Sequence, residues 1–155
     1  MKIKACIFDM DGTLVNSIMD IAFSMNSALS NLGYNQIELS KFNALVGRGF
    51  NMFVIDTLKL LSLEYNNTNL QDKLYKEFVK EYNKNLSSQT QPYENIKTLL
   101  ETMNKLNIPI GILSNKNHEE LINLVKNVFG NIFFLKSGVI QKNFRQSQIL
   151  RMPLI

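Results

Sequence analysis

The stretch that decides the fold is Cys-Ile-Phe-Asp-Met-Asp-Gly-Thr-Leu, at residues 6–14. Mostly apolar residues over 3–8 predict a short buried strand, and this strand ends at two acids, Asp9 and Asp11. Gly12 follows them and allows a tight turn with close backbone approach to a ligand. An isolated Asp-x-Asp-Gly is a weak signal, but its position directly after an apolar strand indicates a site.

The spacing of Asp9 and Asp11 indicates what such a site does. Residues two positions apart on an extended segment project to the same side of the chain. Two carboxylates placed this way repel each other unless a cation or a shared proton offsets them, and Mg²⁺ with its oxygen ligands is a suitable cation. Asp11 then lies where general acid–base work is possible, and Asp9 lies where a carboxylate can attack phosphorus. A plain loop or a calcium-type turn is the alternative interpretation.

The rest of the chain alternates between helical and strand patterns. Apolar residues at helical spacing predict helices, and short apolar runs between turns predict strands. The predicted helices cover 16–32, 41–45, 51–63, 69–86, 94–107 and 118–128, and the further strands cover 108–113 and 132–135. This order predicts an α/β fold with a parallel sheet. Residues 15–88, the helical block, form an insertion, which leaves residues 1–14 and 89–155 for the α/β part.

A second polar segment follows the strand predicted at 108–113. Ser114, Asn115 and Lys116 come directly after its apolar residues. Because ligands of open α/β sheets bind beyond the carboxyl ends of the strands, we expect this segment to lie near Asp9 and Asp11. The single histidine, His118, is interpreted as a residue at the start of a helix.

Composition limits the class of protein. The chain has 155 residues, of which 45% are hydrophobic and 19% charged, so it is globular and has one domain or one core with an insertion. The net charge is +4 without a basic block, so we expect no nucleic-acid partner. No run reaches the roughly 18 apolar residues of a membrane span. A single cysteine, Cys6, fits a cytoplasmic protein without disulfides.

Residues 6–17 resemble the first motif of the haloacid dehalogenase-like superfamily, in its phosphatase branch. The resemblance implies a Rossmann-like parallel sheet with an inserted small helical cap, and a Mg²⁺ ion held at Asp9 and Asp11. It implies that Asp9 is the nucleophile and Asp11 the acid and base. Ser114 matches the second motif, and Asn115 and Lys116 follow it as they do in phosphoglycolate phosphatase-like members.

The same resemblance implies further contacts. Gly12, Thr13, Ser114 and Asn115 are expected to bind the phosphoryl group. The segment Val46-Gly47-Arg48-Gly49 resembles the substrate-specificity loop, so Gly47, Arg48 and Gly49 are expected to contact a small anionic metabolite. Phosphoglycolate is the substrate that the resemblance implies, while sugar phosphates, mutase activity and the oligomeric state stay open.

The C-terminal part departs from the family pattern. Two further motifs, a lysine in a Lys-Pro-x-Pro context and an acidic pair, are missing, and no Asp or Glu follows Glu120. Lys136 and Lys142 lack a proline context. With suitable codons, residues 145–150 read in a shifted frame as Ser-Pro-Lys-Pro-Asp-Pro. We therefore expect a frameshift near Phe144, with a natural C-terminus as the alternative.

Such a truncated chain is expected to leave an apolar sheet edge unpaired, to be poorly stable and to have little phosphatase activity. The alternative function is therefore an inactive fragment that acts at most as a phosphate-binding or partner-binding module. A phospho-accepting signalling domain is a third class, although its acceptor aspartate would lie on a middle strand.

Overall fold

The computed structural model describes residues 3–116, 118–130, 132 and 134, and the backbone of 136–139. The predicted frameshift near Phe144 and the tail that carries it lie outside the described residues. Within the described part the elements, in chain order, are β1 (Cys6–Phe8), β2 (Val15–Asn16), α1 (Ile18–Asn31), a 3₁₀ turn (Leu39–Lys41), α2 (Phe42–Leu45), α3 (Phe50–Leu60), α4 (Thr68–Lys84), β3 (Gln91–Pro92), α5 (Ile96–Lys105), β4 (Ile110–Ser114), α6 (His118–Phe129) and β5 (Lys136–Val139).

The central sheet is parallel, as predicted. Its described strands lie in the order β1-β4-β5, and both pairs of neighbours run parallel. Phe8 on β1 is opposite Ile112 on β4, so the two strands end at the same edge of the sheet. Helices connect the parallel strands, as a parallel sheet requires. The α/β fold class is confirmed.

The third strand was predicted at the wrong place. The sequence pattern put it at 132–135, whereas β5 is Lys136–Val139 and runs parallel to β4. Ile132 and Phe134 are instead half-buried outside any strand, where they pack against the core of the α/β part. The Phe134 ring lies 5.8 Å from the Phe129 ring at the end of α6. An apolar run therefore marked a packing segment, and the strand itself has a weak apolar pattern.

The helical block has its own hydrophobic cluster. Helices α1 and α4 pack along each other, and α3 packs against α4. Aromatic rings occupy the middle of the cluster: the Phe53 and Phe78 centroids are 5.3 Å apart, and those of Phe50 and Phe78 are 4.8 Å apart. Edge-to-face pairs of this kind are favourable beyond their buried area. The apolar faces of the predicted helices thus pack into one shared core.

A second cluster belongs to the α/β part and shares no buried residue with the first. Its buried members are Met10, Leu14, Val15, Leu100, Met103, Ile110, Ile112, Leu121, Leu124, Val128 and Phe129. Separate clusters are what a block inserted into a sheet domain produces. The boundary at residues 15–88 nevertheless stays a prediction.

A short antiparallel ribbon pairs the two segments by which the chain passes from the α/β part to the helical block and back. Strand β2 pairs with β3, so Val15 is opposite Pro92 and Asn16 is opposite Gln91. The sequence did not predict this ribbon, because strands of two residues have no periodicity to recognise. Within the described residues, no helix combines the length and the apolar character needed to cross a bilayer.

Candidate active site

The loop after β1 is folded tightly onto the carbonyl group of Met10. This oxygen accepts hydrogen bonds from the amides of Leu14 at 2.9 Å and Val15 at 3.1 Å. Gly12 has a φ of 78°, a left-handed conformation that favours glycine, and its amide donates to the Val15 oxygen at 2.9 Å. Met10 is fully buried, while Asp9 and Asp11 on either side of it reach the surface. Alternation along an extended segment therefore directs both acids away from the core.

The second strand end meets this loop. Ser114 is the last residue of β4, and its side-chain oxygen accepts a hydrogen bond from the Lys116 amide at 3.3 Å. Because β1 and β4 are neighbours in register, Ser114 lies at the same edge of the sheet as Asp9 and Asp11. This is the edge at which ligands of α/β folds bind.

A pocket of about 150 Å³ opens at this edge, between the sheet and the helical block. Most of the predicted site residues contribute to its wall. They are Asp9, Asp11, Gly12, Gly47, Gly49, Ser114 and Asn115. The wall also contains Asn16, Ser17, Asn43, Tyr93 and Lys116, together with apolar residues of the block. Both strand ends and the 46–50 loop thus face one space.

Two predicted residues do not face this space. Thr13 is exposed and lies outside the pocket wall. Arg48 also lies outside the wall, because its guanidinium forms an ion pair with Asp56 on α3 and its side chain is 62% exposed. The cation that the sequence pattern offered for an anionic substrate is therefore paired elsewhere in this structure. The roles of Thr13 and Arg48 toward a ligand stay predictions.

Lys116 is the main residue that sequence reasoning undervalued. Its side chain is 2% exposed, and its Nζ lies 2.8 Å from Oδ2 of Asp11. The other oxygen of Asp11 accepts a hydrogen bond from the Ser17 hydroxyl. Burial is the largest single influence and lowers the pKa of Lys116, but Asp11 and Tyr82 together outweigh burial and raise this pKa, so the ammonium ion stays charged. Lys116 is followed by Asn117 and has no proline context, so the family pattern of a lysine before proline does not indicate it.

Asp9 is electrostatically different from Asp11. Burial raises the pKa of Asp9, and the negative charge of Asp11 raises it further. The Met10 backbone hydrogen bond and the Lys116 charge act in the opposite direction without cancelling the rise. The two acids thus sit in unequal surroundings, with the direct ammonium contact at Asp11.

Asp20 was also missed. Its carboxylate is buried in the first turn of α1 and accepts four hydrogen bonds from the returning crossing. The donors are the Ser88 hydroxyl at 2.9 Å, the Gln89 amide at 2.9 Å, the Thr90 amide at 2.9 Å and the Thr90 hydroxyl at 2.6 Å. Asp20 therefore fixes the segment by which the chain re-enters the sheet. The only sequence signal was an acid among apolar residues of an amphipathic helix.

Comparison with known proteins identifies the family. The family model described as haloacid dehalogenase-like hydrolase matches residues 6–140. The chain belongs to this family. It is 29% identical over 124 residues to the phosphoglycolate phosphatase of Neisseria meningitidis, with 80% of this chain and 53% of that protein covered. It is 32% identical over 119 residues to the phosphoglycolate phosphatase of Mannheimia succiniciproducens, with 74% and 53% covered. The chain thus spans about half the length of the curated relatives it matches.

Solved structures share the fold of this haloacid dehalogenase-like chain. A structure from Lactobacillus delbrueckii subsp. bulgaricus matches with a TM-score of 0.83 and 20% identity, covering 99% of this chain and 75% of that one. A predicted phosphoglycolate phosphatase from Haemophilus somnus matches with a TM-score of 0.77 and 25% identity, covering 88% and 62%. CbbY from Rhodobacter sphaeroides, solved in complex with phosphate, matches at 0.70 and 15% identity, covering 89% and 64%.

The donor atoms at the pocket fit a magnesium ion. Mg²⁺ is commonly bound by one or two carboxylates, with water and substrate phosphate oxygens completing its shell. Asp9 and Asp11 offer carboxylate oxygens in one pocket. Burial is the main cause of the raised pKa of Asp9, and the charge of Asp11, which adds to the rise, is one that a cation would offset. Among the residues that the structure describes, no cluster of three or more acidic, histidine or cysteine side chains forms a ready-made metal cage. Asp9 and Asp11 are the carboxylates of this pocket that would hold such an ion.

Proposed function

We propose that this chain carries the phosphoryl-transfer site of a Mg²⁺-dependent phosphomonoester hydrolase that acts through an aspartyl phosphate. The observation that carries the proposal is the single pocket formed by Asp9, Asp11 and Ser114 at the carboxyl ends of two adjacent parallel strands. A nucleophile, an acid–base group and a hydroxyl donor are three of the parts that such a reaction uses.

Each side chain has a stated role in this proposal. A carboxylate oxygen of Asp9 attacks phosphorus, and the bond from phosphorus to the ester oxygen breaks. Protonated Asp11 gives its proton to the departing alkoxide. Asp11 then takes a proton from water, whose oxygen attacks phosphorus and releases inorganic phosphate from Asp9. The Ser114 hydroxyl, backed by the Lys116 amide, donates a hydrogen bond to a phosphoryl oxygen.

Asp9 and Asp11 would hold the magnesium ion, which would supply positive charge to the phosphoryl oxygens. The helical block has a second task, because it covers the pocket and limits the entry of water. Gly47 and Gly49 lie in the same pocket wall as Ser114 and bring backbone close to a ligand. The structure thus supports a small substrate held between the block and the sheet edge.

Phosphoglycolate is the substrate that we propose. The support is that the relatives from Neisseria meningitidis and Mannheimia succiniciproducens are phosphoglycolate phosphatases, together with the modest pocket of about 150 Å³. The side chains of Asn16, Asn43 and Asn115 line this pocket and can bind a carboxylate without adding charge. Since Arg48 is paired with Asp56, we assign the far end of the substrate to amide groups of this wall, although one N–H of Asn115 already donates to the Gly47 carbonyl oxygen.

A second candidate is phosphate binding without turnover. It is favoured by the ion pair that holds Asp11 against Lys116, and by the lack of a third acidic ligand among the described residues. In this case Ser114 and Mg²⁺ would retain a phosphate group, and Asp11 would not exchange a proton with it.

The test is phosphate release from phosphoglycolate by the 155-residue chain, with Mg²⁺ and with a chelator. The sequence leads us to expect a low rate for this chain, and the Mg²⁺-dependent release that it does show should be abolished by Asp9→Asn and slowed by roughly 10²- to 10⁴-fold by Asp11→Asn. Asp72→Asn, on the exposed face of α4, is the matched control and should leave the rate unchanged. Release that survives in Asp9→Asn would refute the mechanism. Binding of inorganic phosphate by a chain without turnover would establish the second candidate.

A further inference from the structure

Lys116 lies where the α/β part meets the helical block. It follows β4, yet its ammonium group faces two aromatic rings of the block. The Nζ atom lies 5.4 Å from the Phe50 ring centroid and 5.1 Å from that of Tyr82. Phe50 begins α3 and Tyr82 is near the end of α4, so the rings come from two helices of the block. Their centroids are 5.3 Å apart at an interplanar angle of 76°.

The charge of Lys116 is balanced from the other side, by the α/β part. Its Nζ is 2.8 Å from Asp11 Oδ2, and the side chain is nearly sealed from water. A buried ammonium ion is costly unless it is paired, and ring faces add to its stabilisation when water is excluded. Burial raises the pKa of Tyr82 to about 12, so this ring stays neutral beside the cation. The ammonium ion is thus shared between the block and Asp11.

Lys116's neighbour makes a second contact with the block. The Asn115 side-chain amide donates to the Gly47 carbonyl oxygen at 3.3 Å. A carbon built as Cβ on Gly49, which has a φ of 81°, would lie 3.8 Å from Asn115 Cβ. The 46–50 loop therefore rests directly on the segment that carries Lys116.

We propose that Lys116 is a positioning residue that ties the helical block to the Asp11 carboxylate. If the block moves away, the ammonium ion loses both rings, and its remaining contact with Asp11 becomes open to water. The block and the acid are then coupled, because the ammonium ion that contacts Asp11 is covered by the rings of Phe50 and Tyr82 when the block is seated. The inference rests on the proposed function for the meaning of Asp11, but the coupling itself is a property of these contacts.

Amide hydrogen exchange of the full 155-residue chain tests the coupling. Lys116→Met keeps the stem and removes the charge, while Lys126→Met makes the same change at an exposed site on α6. We expect Lys116→Met to raise exchange in the 46–50 loop on the order of tenfold or more relative to α1, since breaking a buried ion pair is strongly destabilising. Lys126→Met should change neither segment. An equal rise in both segments, or no rise, would overturn the proposal.

A second variant tests the coupling by a substitution in the block, which leaves the buried charge of Lys116 in place. Phe50→Leu keeps an apolar side chain and removes the ring face, and Phe23→Leu on the outer face of α1 is its control. In a chain labelled with ¹³C at aspartate carboxyl carbons, we expect Phe50→Leu to shift the Asp11 resonance and to leave that of Asp72 in place. An Asp11 resonance that does not move would contradict the coupling, even if Lys116→Met fails to fold.

Neither readout needs turnover. A wild-type chain without phosphate release would remove the proposed function and leave the exchange and resonance results intact. Conversely, the wild-type chain could release phosphate while Lys116→Met leaves amide exchange in the 46–50 loop unchanged. That result would retain the proposed function and refute the coupling.

Discussion

The helical block and the central sheet differ in how they form their backbone hydrogen bonds and in how they bury their apolar side chains. In the block, each helix makes its own backbone hydrogen bonds, and α1, α3 and α4 converge on a shared aromatic core. In the sheet, β1 lies at the edge of the described order, and it pairs with β4 alone among the strands described. Ile7 in the middle of β1 is 52% exposed.

This difference shows that the sheet, more than the block, depends on contacts between segments that are far apart in the sequence. The block gains its stability from segments close in sequence, which is the arrangement that folds most readily. The sheet needs strands from residues far apart, and an edge strand with an exposed apolar side chain is a template for association. We therefore expect the block to be the more stable part.

The largest expected effect is in the block's core. Phe78 is fully buried and contacts the rings of Phe50, Phe53 and Tyr82. Phe78→Ala should lower the free energy of unfolding by about 3–5 kcal/mol, since it removes a large ring and leaves a cavity. Urea unfolding followed by circular dichroism at a helical wavelength measures the loss.

The control for this prediction is Phe23→Ala on the exposed face of α1, where the ring is 57% exposed. A change there should stay within about 0.5 kcal/mol. Equal losses at the two positions would mean that the aromatic cluster does not hold the block together, and the comparison would fail.

The next effect concerns the crossing between the two parts. In Asp20, Oδ1 accepts from the Ser88 hydroxyl and the Gln89 amide, and Oδ2 accepts from the Thr90 amide and hydroxyl. Asp20→Asn replaces one of these acceptor oxygens with a donor, so at least one backbone amide then faces a donor. Leaving such buried donors unpaired should cost about 1–3 kcal/mol in the free energy of unfolding. Hydrogen exchange at residues 88–90 should rise as well.

Asp72→Asn is the control for Asp20→Asn, since Asp72 is exposed on α4. If both variants unfold at the wild-type urea concentration, the four hydrogen bonds carry no net stability and the crossing is fixed by other contacts.

A smaller effect is expected from pH at Asp9. Because the pKa of Asp9 is raised in the folded chain above its ordinary value of 3.8, the protonated group favours the folded state. This contribution is complete below the unfolded pKa and is lost as pH rises through the folded pKa. Without divalent ions, Asp9→Asn should therefore gain in Tm over wild type as pH rises from 3 to 7, by a few degrees at most.

Magnesium should narrow this difference, because a cation offsets the charge of Asp9 in the wild type alone. Thermal melts at each pH with and without MgCl₂ measure both effects. A wild-type chain that gains over Asp9→Asn as pH rises in metal-free buffer would reverse the sign and contradict the raised pKa.

Local sequence patterns predicted much of this architecture. Apolar periodicity located α1, α3, α4, α5 and α6, and the run at 108–113 located β4, because burial of one helix face or a whole strand leaves a regular pattern. The pattern misplaced β5, since Ile132 and Phe134 are apolar for packing while the Lys136–Val139 strand has no such run. Pairing with β4 defines that strand, and pairing is a long-range property.

The candidate site divides in the same way. Asp9, Asp11 and Ser114 were located by their places after apolar strands, which is a rule of local position. Lys116 contacts an acid 105 positions away in the sequence, and Asp20 accepts hydrogen bonds from residues about 70 positions away. No local pattern shows such contacts. Arg48 illustrates the reverse case, because a loop cation was expected to face a ligand and a nearby acid, Asp56, pairs with it instead.

The smallest effect on stability is expected at the sheet edge, where the consequence is association. Ile7→Thr keeps a β-branched side chain on β1 and reduces its apolar surface. The free energy of unfolding should therefore change by no more than about 0.5 kcal/mol. Light scattering over a concentration series should nevertheless show less association than in wild type, because an apolar edge strand recruits other chains. Leu106→Thr changes a 65% exposed residue after α5 and should leave association unchanged. If Leu106→Thr reduces association as much as Ile7→Thr does, general surface hydrophobicity drives it, and the edge of β1 has no special part.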